Sequence, residues 1–151
     1  MKKLAMILVT LTVGCGVVAA LDMVAHADAP PGHFTDGGDG TVRDNMTGLV
    51  WQQDFSPTVL TATASATYCT GLTTAGGGWR LPEVMELQTI VDETRSNPAV
   101  DPSFFPGTPP ASFWSATPWN GPFAGVWWVG FNQGGAGFVD PTTYGRARCV
   151  R

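Results

Sequence analysis

Trp79-Arg80-Leu81-Pro82-Glu83-Val84-Met85-Glu86-Leu87-Gln88-Thr89-Ile90-Val91 is the stretch on which the reading of the fold turns. A glycine run, Gly76-Gly77-Gly78, interrupts the chain just before it. Pro82 suits the first turn of a helix, where its missing N–H is not needed. Glu83 and Glu86 then lie near the positive end of that helix, and Val84, Leu87, Ile90 and Val91 recur at helical spacing as one apolar face. A helix with a buried stripe is expected here.

Upstream, residues 61–72 place Ala62, Ala66, Cys69 and Leu72 on one stripe, which suits a second helix packed through small side chains. The many threonines in this stretch, stiff at Cβ, work against its length. Further back, Asp39-Gly40 ahead of Thr41-Val42 reads as a hairpin turn, and a second turn at residues 45–48 leads into a strand at Leu49-Val50-Trp51. Downstream of Asn97-Pro98, Pro102, Pro106, Pro109, Pro110 and Pro118 exclude regular structure over most of the span, with Phe104 and Phe105 expected to pin the loop to the core. Short strands are expected at residues 113–116, 125–131, 137–139 and 146–150. No internal repeat is present. The fold class is α+β, two helices beside a small antiparallel sheet with long irregular loops.

The chain begins with Met1-Lys2-Lys3, and residues 4–21 are apolar apart from Thr10 and Thr12. Ala25-His26-Ala27 then offers small residues ahead of a cut before Asp28, the pattern of a secretory signal. Residues 1–27 are read as a signal peptide, 28–33 as a flexible lead and 34–151 as the domain. The same apolar stretch, left uncut, is long enough for an anchor, since a spanning helix needs roughly 17 to 25 residues. Leu11-Thr12-Val13-Gly14-Cys15 also resembles a lipoprotein site; Thr12 and the apolar run after Cys15 argue against it. All three readings place the domain outside the cytoplasm.

Removing Cys15 with the signal leaves Cys69 and Cys149, and an even pair in an oxidising compartment predicts one disulfide. It would close a loop of about 80 residues, worth roughly 4 to 5 kcal/mol in the chain-entropy model. Two buried thiols are the alternative. The 124 residues that remain of 151 suffice for one domain with its own core. They carry six arginines, no lysine and eleven carboxylates, and an acidic chain of this kind is not a general nucleic-acid binder.

The ordered motifs Asp39-Gly40-Thr41-Val42, Asp44-Asn45, Thr47-Gly48-Leu49-Val50-Trp51-Gln52, Tyr68-Cys69, Trp79-Arg80-Leu81-Pro82, Glu86-Leu87, Phe113-Trp114-Ser115 and Arg148-Cys149-Val150-Arg151 resemble the C-terminal domain family of the Legionella collagen-like protein, an adhesin module. The resemblance spans residues 34–151. It implies a C-type-lectin-like fold, related to that of formylglycine-generating enzymes, with N- and C-terminal strands paired and a long loop region for recognition. It also implies surface or envelope roles such as glycan attachment. The adhesin's collagen-like stalk is absent from this sequence, so trimerisation is not implied.

Catalysis finds little material. After the signal the chain has a single histidine, His33, in the flexible lead, too little for a nucleophile–base pair or a zinc site. The cysteines lack the close pairing of copper-dependent formylglycine-generating enzymes, and Glu83 with Glu86 suits a helix end. No enzyme and no cofactor are expected. Asp36, Asp39 and Asp44 are weak calcium candidates, because turn formation explains the same residues and the distal glutamate of a calcium loop is missing.

Six tryptophans are the more informative group. Alternation puts Trp127, Val129 and Phe131 on one face, which the family pattern marks as core, and turns Trp128 the other way. Trp119 and Asn120, with Trp128, Asn132 and Gln133, form the candidate ligand surface, since an indole covers the apolar C–H face of a sugar while amides read its hydroxyls. The alternative is that these rings cover the core beneath long loops. Arg146, Arg148 and Arg151 offer either an anionic-ligand patch for sulfated glycans or ion pairs with the acidic hairpin at 36–44, and Arg80 a structural hydrogen-bonding role. The expected function is an exported, non-catalytic module that binds a glycan or surface polymer, or else a structural or protein-interaction domain of the envelope. Mass spectrometry of the purified exported protein should find Asp28 at its N-terminus and two hydrogens fewer than the dithiol mass; reactive thiols would refute the bridge.

Overall fold

The computed structural model describes residues 31–151, so the readings made for the signal segment fall outside the described residues. Strands β1 (Phe34–Asp36), β2 (Thr41–Asp44) and β3 (Val50–Gln52) form one antiparallel sheet in chain order. Helix α1 (Ala62–Thr70), a 3-10 turn at Thr74–Gly76 and helix α2 (Val84–Gln88) follow. Strands β4 (Ser112–Pro118), β5 (Val126–Gly130) and β6 (Ala136–Val139) form a second antiparallel sheet. The chain is thus α+β as expected, with two three-stranded sheets where one was anticipated. The turns at Asp39-Gly40 and at 45–48 stand where the sequence put them, the latter closed by the Gly48 N–H on the Asp44 carbonyl at 2.8 Å.

Helix α2 is short because its start is stronger than its continuation. Glu83 and Glu86 form a reciprocal capping box, and the Thr89 hydroxyl caps the other end by donating to the Glu86 carbonyl at 2.8 Å. Leu87 and Ile90 are buried, with Val84 and Val91 packed at the edge. In α1 the buried stripe is Ala62, Ser65 and Cys69, so Ser65 takes the place expected of Ala66, which is exposed. The helix is rotated so that Cys69 points at the C-terminal segment.

That segment is not the regular strand expected at 146–150. It forms isolated bridges, Trp51 with Val150, Arg80 with Val150, Phe113 with Arg146 and Leu60 with Gly145, because its partners lie in separate parts of the chain. The C-terminal segment does not pair with the first strand, as the resemblance implied, but with β3 at the far edge of that sheet: Val50 and Arg151 exchange backbone hydrogen bonds at 2.9 Å each, and the Gln52 N–H donates to the Cys149 carbonyl. The disulfide joins Cys69 to Cys149, both fully buried.

Two apolar clusters result. The first holds Phe34, Val42, Trp51, Leu87, Phe105 and Phe131 among others; the second gathers Trp79, Leu81 and Trp114 around the disulfide. Inside the first lies the guanidinium of Arg148, fully buried, 4.7 Å from the Phe105 ring centroid and 5.5 Å from that of Phe113. It donates to the Asp54 and Gln53 carbonyls and, at 2.7 Å, to the Thr108 hydroxyl. Burial pushes it down to about 9, so it still carries its charge at neutral pH.

Asp44 is buried at the root of the first hairpin and accepts from the backbone N–H groups of Met46 and Thr47, with Thr89 Oγ1 at 3.3 Å and His33 Nε2 at 3.1 Å. Burial alone would raise its carboxyl; the hydrogen bonds from Thr47 and Met46 outweigh that and hold it below its ordinary 3.8. A carboxyl depressed in the folded chain stabilises above the unfolded value, and loses that contribution as pH falls through the folded one. Stability should therefore decline on acidification below about pH 4, and Asp44→Asn should cost about 1 to 3 kcal/mol at pH 7 while flattening the decline. Urea titrations of both proteins at several pH values check this; an equal acid slope would refute it.

Candidate functional site

The second sheet has a chemical peculiarity that its neighbours lack: between Asp101 and Asp140 the sequence contains no ionisable side chain. Its two faces are covered differently. On one, Phe113 pairs with Val129 across β4 and β5 and joins the first apolar cluster. On the other, Trp114 pairs with Trp128 and faces the cluster around the disulfide.

The five candidate ligand residues do not come together. Trp119 and Asn120 lie in the β4–β5 loop at one end of β5, held by the Trp119 N–H on the Gly125 carbonyl, whereas Asn132 and Gln133 lie in the β5–β6 turn at its other end. The Trp119 indole has little surface to offer. Phe138 stacks on it at 3.8 Å with the rings parallel, Trp127 meets it edge-on at 5.6 Å, and the Gly121 backbone closes against its edge. Trp127 is likewise only half-buried: its cover comes from Trp119 and Phe138 rather than from the first cluster that encloses Val129 and Phe131.

Trp128 is placed differently. Its indole lies over Gly137, the residue opposite it on β6, and a Cβ at Gly137 would come within 2.8 Å of Trp128 Cζ2. The ring borders a cleft of about 200 Å³ with Trp114, Val139 and Tyr144, and Ser112 and Thr143 bring hydroxyls to it. Trp114 is 2% exposed and donates its indole N–H to the Leu60 carbonyl, so it is the back wall. Tyr144 is 71% exposed and forms the outer wall. Gly145 keeps the cleft open, since a Cβ there would stand 2.9 Å from Trp114 Nε1 and 3.1 Å from the Ser112 carbonyl oxygen.

Sequence reasoning passed over Tyr144 because it sits in a turn with no pattern around it. The signal was the Asp140-Pro141-Thr142-Thr143 run before it, a turn in which the Asp140 carboxylate accepts from the Thr142 N–H at 2.8 Å and hydroxyl at 2.6 Å. Those bonds, the Thr142 hydroxyl first, hold Asp140 below the usual carboxylate range.

A larger groove of about 610 Å³ runs past Gln52, Asp54, Pro57, Tyr68 and Leu72, with the Gln52 amide donating to the Tyr68 hydroxyl at 2.8 Å. The terminal arginines form no patch and no salt bridge to the hairpin; only Arg151 acts on it, where the Thr41 hydrogen bond holds the Asp39 carboxyl below its ordinary value and the Arg151 charge adds to that effect. Arg146 donates to the Ser56 carbonyl and lies over the Phe55 ring, Arg148 is buried, and Arg151 stacks on Trp79 and donates to the Ala75 and Gly77 carbonyls. Arg80 is structural, bonded through both terminal nitrogens to Glu86. Of the weak calcium candidates, Asp36 accepts from the Gly38 N–H and Asp39 from the Thr41 hydroxyl at the hairpin tip, while Asp44 is at its root. Among the described residues no three His, Cys, Asp or Glu side chains converge.

The model of the Lcl C-terminal domain matches residues 40–151, most of the chain and every strand from β2 onward. The chain belongs to the Lcl C-terminal domain family. Membership marks it as an extracellular or envelope-associated domain. No curated protein matches it. Among the described residues of this Lcl C-terminal domain, no helix is long and apolar enough to cross a membrane.

Gly145→Ala should push Trp114 or the Ser112 backbone aside, costing about 1 to 3 kcal/mol and shifting tryptophan emission. Thermal melts and fluorescence spectra read both effects; an unchanged spectrum with an unchanged melting temperature would show that the cleft is looser than described.

Proposed function

We propose that this chain is an exported, non-catalytic binding module, and that its ligand is a glycan or another surface polymer. The observation that carries the reading is the cleft on the second sheet, where an exposed tyrosine and a half-buried tryptophan flank a small apolar floor beside two hydroxyl groups. Sugars are recognised by that combination, because a ring covers their C–H face while hydroxyl partners fix orientation. Binding, not catalysis, suits the residues around it. The cleft brings rings, hydroxyls and a glycine together and lacks the nucleophile–base pair that hydrolysis or transfer would need. The signal-like N-terminus, the disulfide and the family support extracytoplasmic placement.

A second reading is favoured by one observation, the exposed pair Phe123 and Phe138 beside Trp119 and Trp127, with Phe123 61% exposed. Such a patch would suit a protein partner in the envelope. Pull-down of the purified domain on a panel of insoluble and immobilised polysaccharides, with calcium and with chelator, separates the readings. Retention on at least one polymer is expected. Failure on all of them, together with co-purification of one stoichiometric protein, would select the second reading.

A further inference from the structure

We infer that the cleft between Tyr144 and Trp128 is the polymer's contact point and that it takes an uncharged sugar unit, discriminating against sulfated or uronic-acid chains. The inference rests on the binding reading above and adds a ligand class to it.

All the groups lining the cleft are neutral: the Trp114, Trp128 and Tyr144 rings, Val139, the Ser112 and Thr143 hydroxyls and the Gly145 backbone. An anionic sugar needs a cation or a row of N–H donors to replace the water it leaves behind. The cation nearest in sequence, Arg146, is turned away, with Nη1 on the Ser56 carbonyl at 2.9 Å and its guanidinium over Phe55 at 5.6 Å. Arg148 and Arg151 are committed elsewhere in the same way, to Thr108 and to the Ala75 and Gly77 carbonyls.

The nearest charge on the cleft's own turn has the wrong sign for an anion. Asp140 begins the turn that carries Thr143 and Tyr144, and its bonds to Thr142 keep it ionised. A sulfate or carboxylate would therefore give up its water with no compensating partner in the cleft. A neutral pyranose meets no such penalty: its axial C–H groups can lie on Tyr144 and Trp128, and its hydroxyls can donate to Ser112 and to the Thr143 oxygen, whose own proton is held by the Asp140 carbonyl.

Association of this kind should be nearly independent of salt, because no ion pair forms. The test is affinity electrophoresis of the disulfide-bonded protein through gels containing dextran, galactomannan or laminarin, against dextran sulfate and alginate. Retardation by a neutral polymer is expected, with none by the anionic pair. In fluorescence titrations the affinity for that polymer should change less than about twofold between about 50 mM and about 500 mM NaCl. Tyr144→Ala, at an exposed position, should weaken it about tenfold, Tyr144→Phe should keep most of it, and Phe123→Ala should leave it unchanged.

Retardation by dextran sulfate or alginate alone would overturn the inference while leaving the binding reading intact. So would neutral binding that Tyr144→Ala does not weaken. Absence of retardation by every polymer would overturn both.

Discussion

The last seven residues, 145–151, make almost no structure among themselves, yet they are hydrogen-bonded to β3, to β4, to the segment between β3 and α1 and to Arg80. Gly145 and Leu60 exchange backbone bonds; Arg146 bonds Ser112 and Trp114 on β4; Ala147 meets Ser56 through backbone and hydroxyl; Cys149 meets Gln52; Val150 and Arg80 exchange a pair, as do Arg151 and Val50. All seven of these partners are far away in sequence, so distant parts of the chain must be ordered before the segment can be seated. The disulfide from Cys149 to α1 then removes loop entropy from the unfolded chain in the place where the brace is deepest.

This dependence explains which features were legible in the sequence. Local signals sufficed where the partner is close in the chain: the hairpin at Asp39-Gly40, the capping box of Glu83 and Glu86, and strands β4 to β6 each carry their own pattern. The segment at 146–150 shows the alternation of a strand, and its side chains are indeed mostly buried. What no local pattern reveals is that its backbone is shared among β3, Arg80, Ser56 and β4, leaving no ladder long enough to count as a strand. The Ala66 error in α1 has the same origin, since the helix is rotated by its tertiary bond at Cys69 and not by the average hydrophobicity of its faces.

The tryptophans show the limit more sharply. Composition and neighbouring amides drew attention to Trp119, but its indole is consumed by a parallel stack with Phe138 and an edge contact with Trp127. Phe138 is on β6 and was not distinguishable from an ordinary strand residue. Trp128 was correctly separated from Trp127 by alternation, yet its exposure depends on Gly137, where only a hydrogen leaves room for the ring. The arginines followed the same rule. The charges of Arg146, Arg148 and Arg151 suggested pairing at a distance, whereas these three are held by carbonyl and hydroxyl oxygens and aromatic faces, contacts that carry no charge signature in the sequence.

Brace and cleft are physically one object. Gly145 supplies the bridge to Leu60 and also the open side of the cleft, and the Trp114 ring that forms the back wall donates its N–H to the same Leu60 carbonyl. The cleft is therefore built on the part of the domain with the most distant hydrogen bonds and the nearest covalent lock, not on a mobile loop. A surface fixed in this way would lose little conformational freedom on taking the proposed ligand, so that the contribution of a single ring contact would be retained in the net affinity.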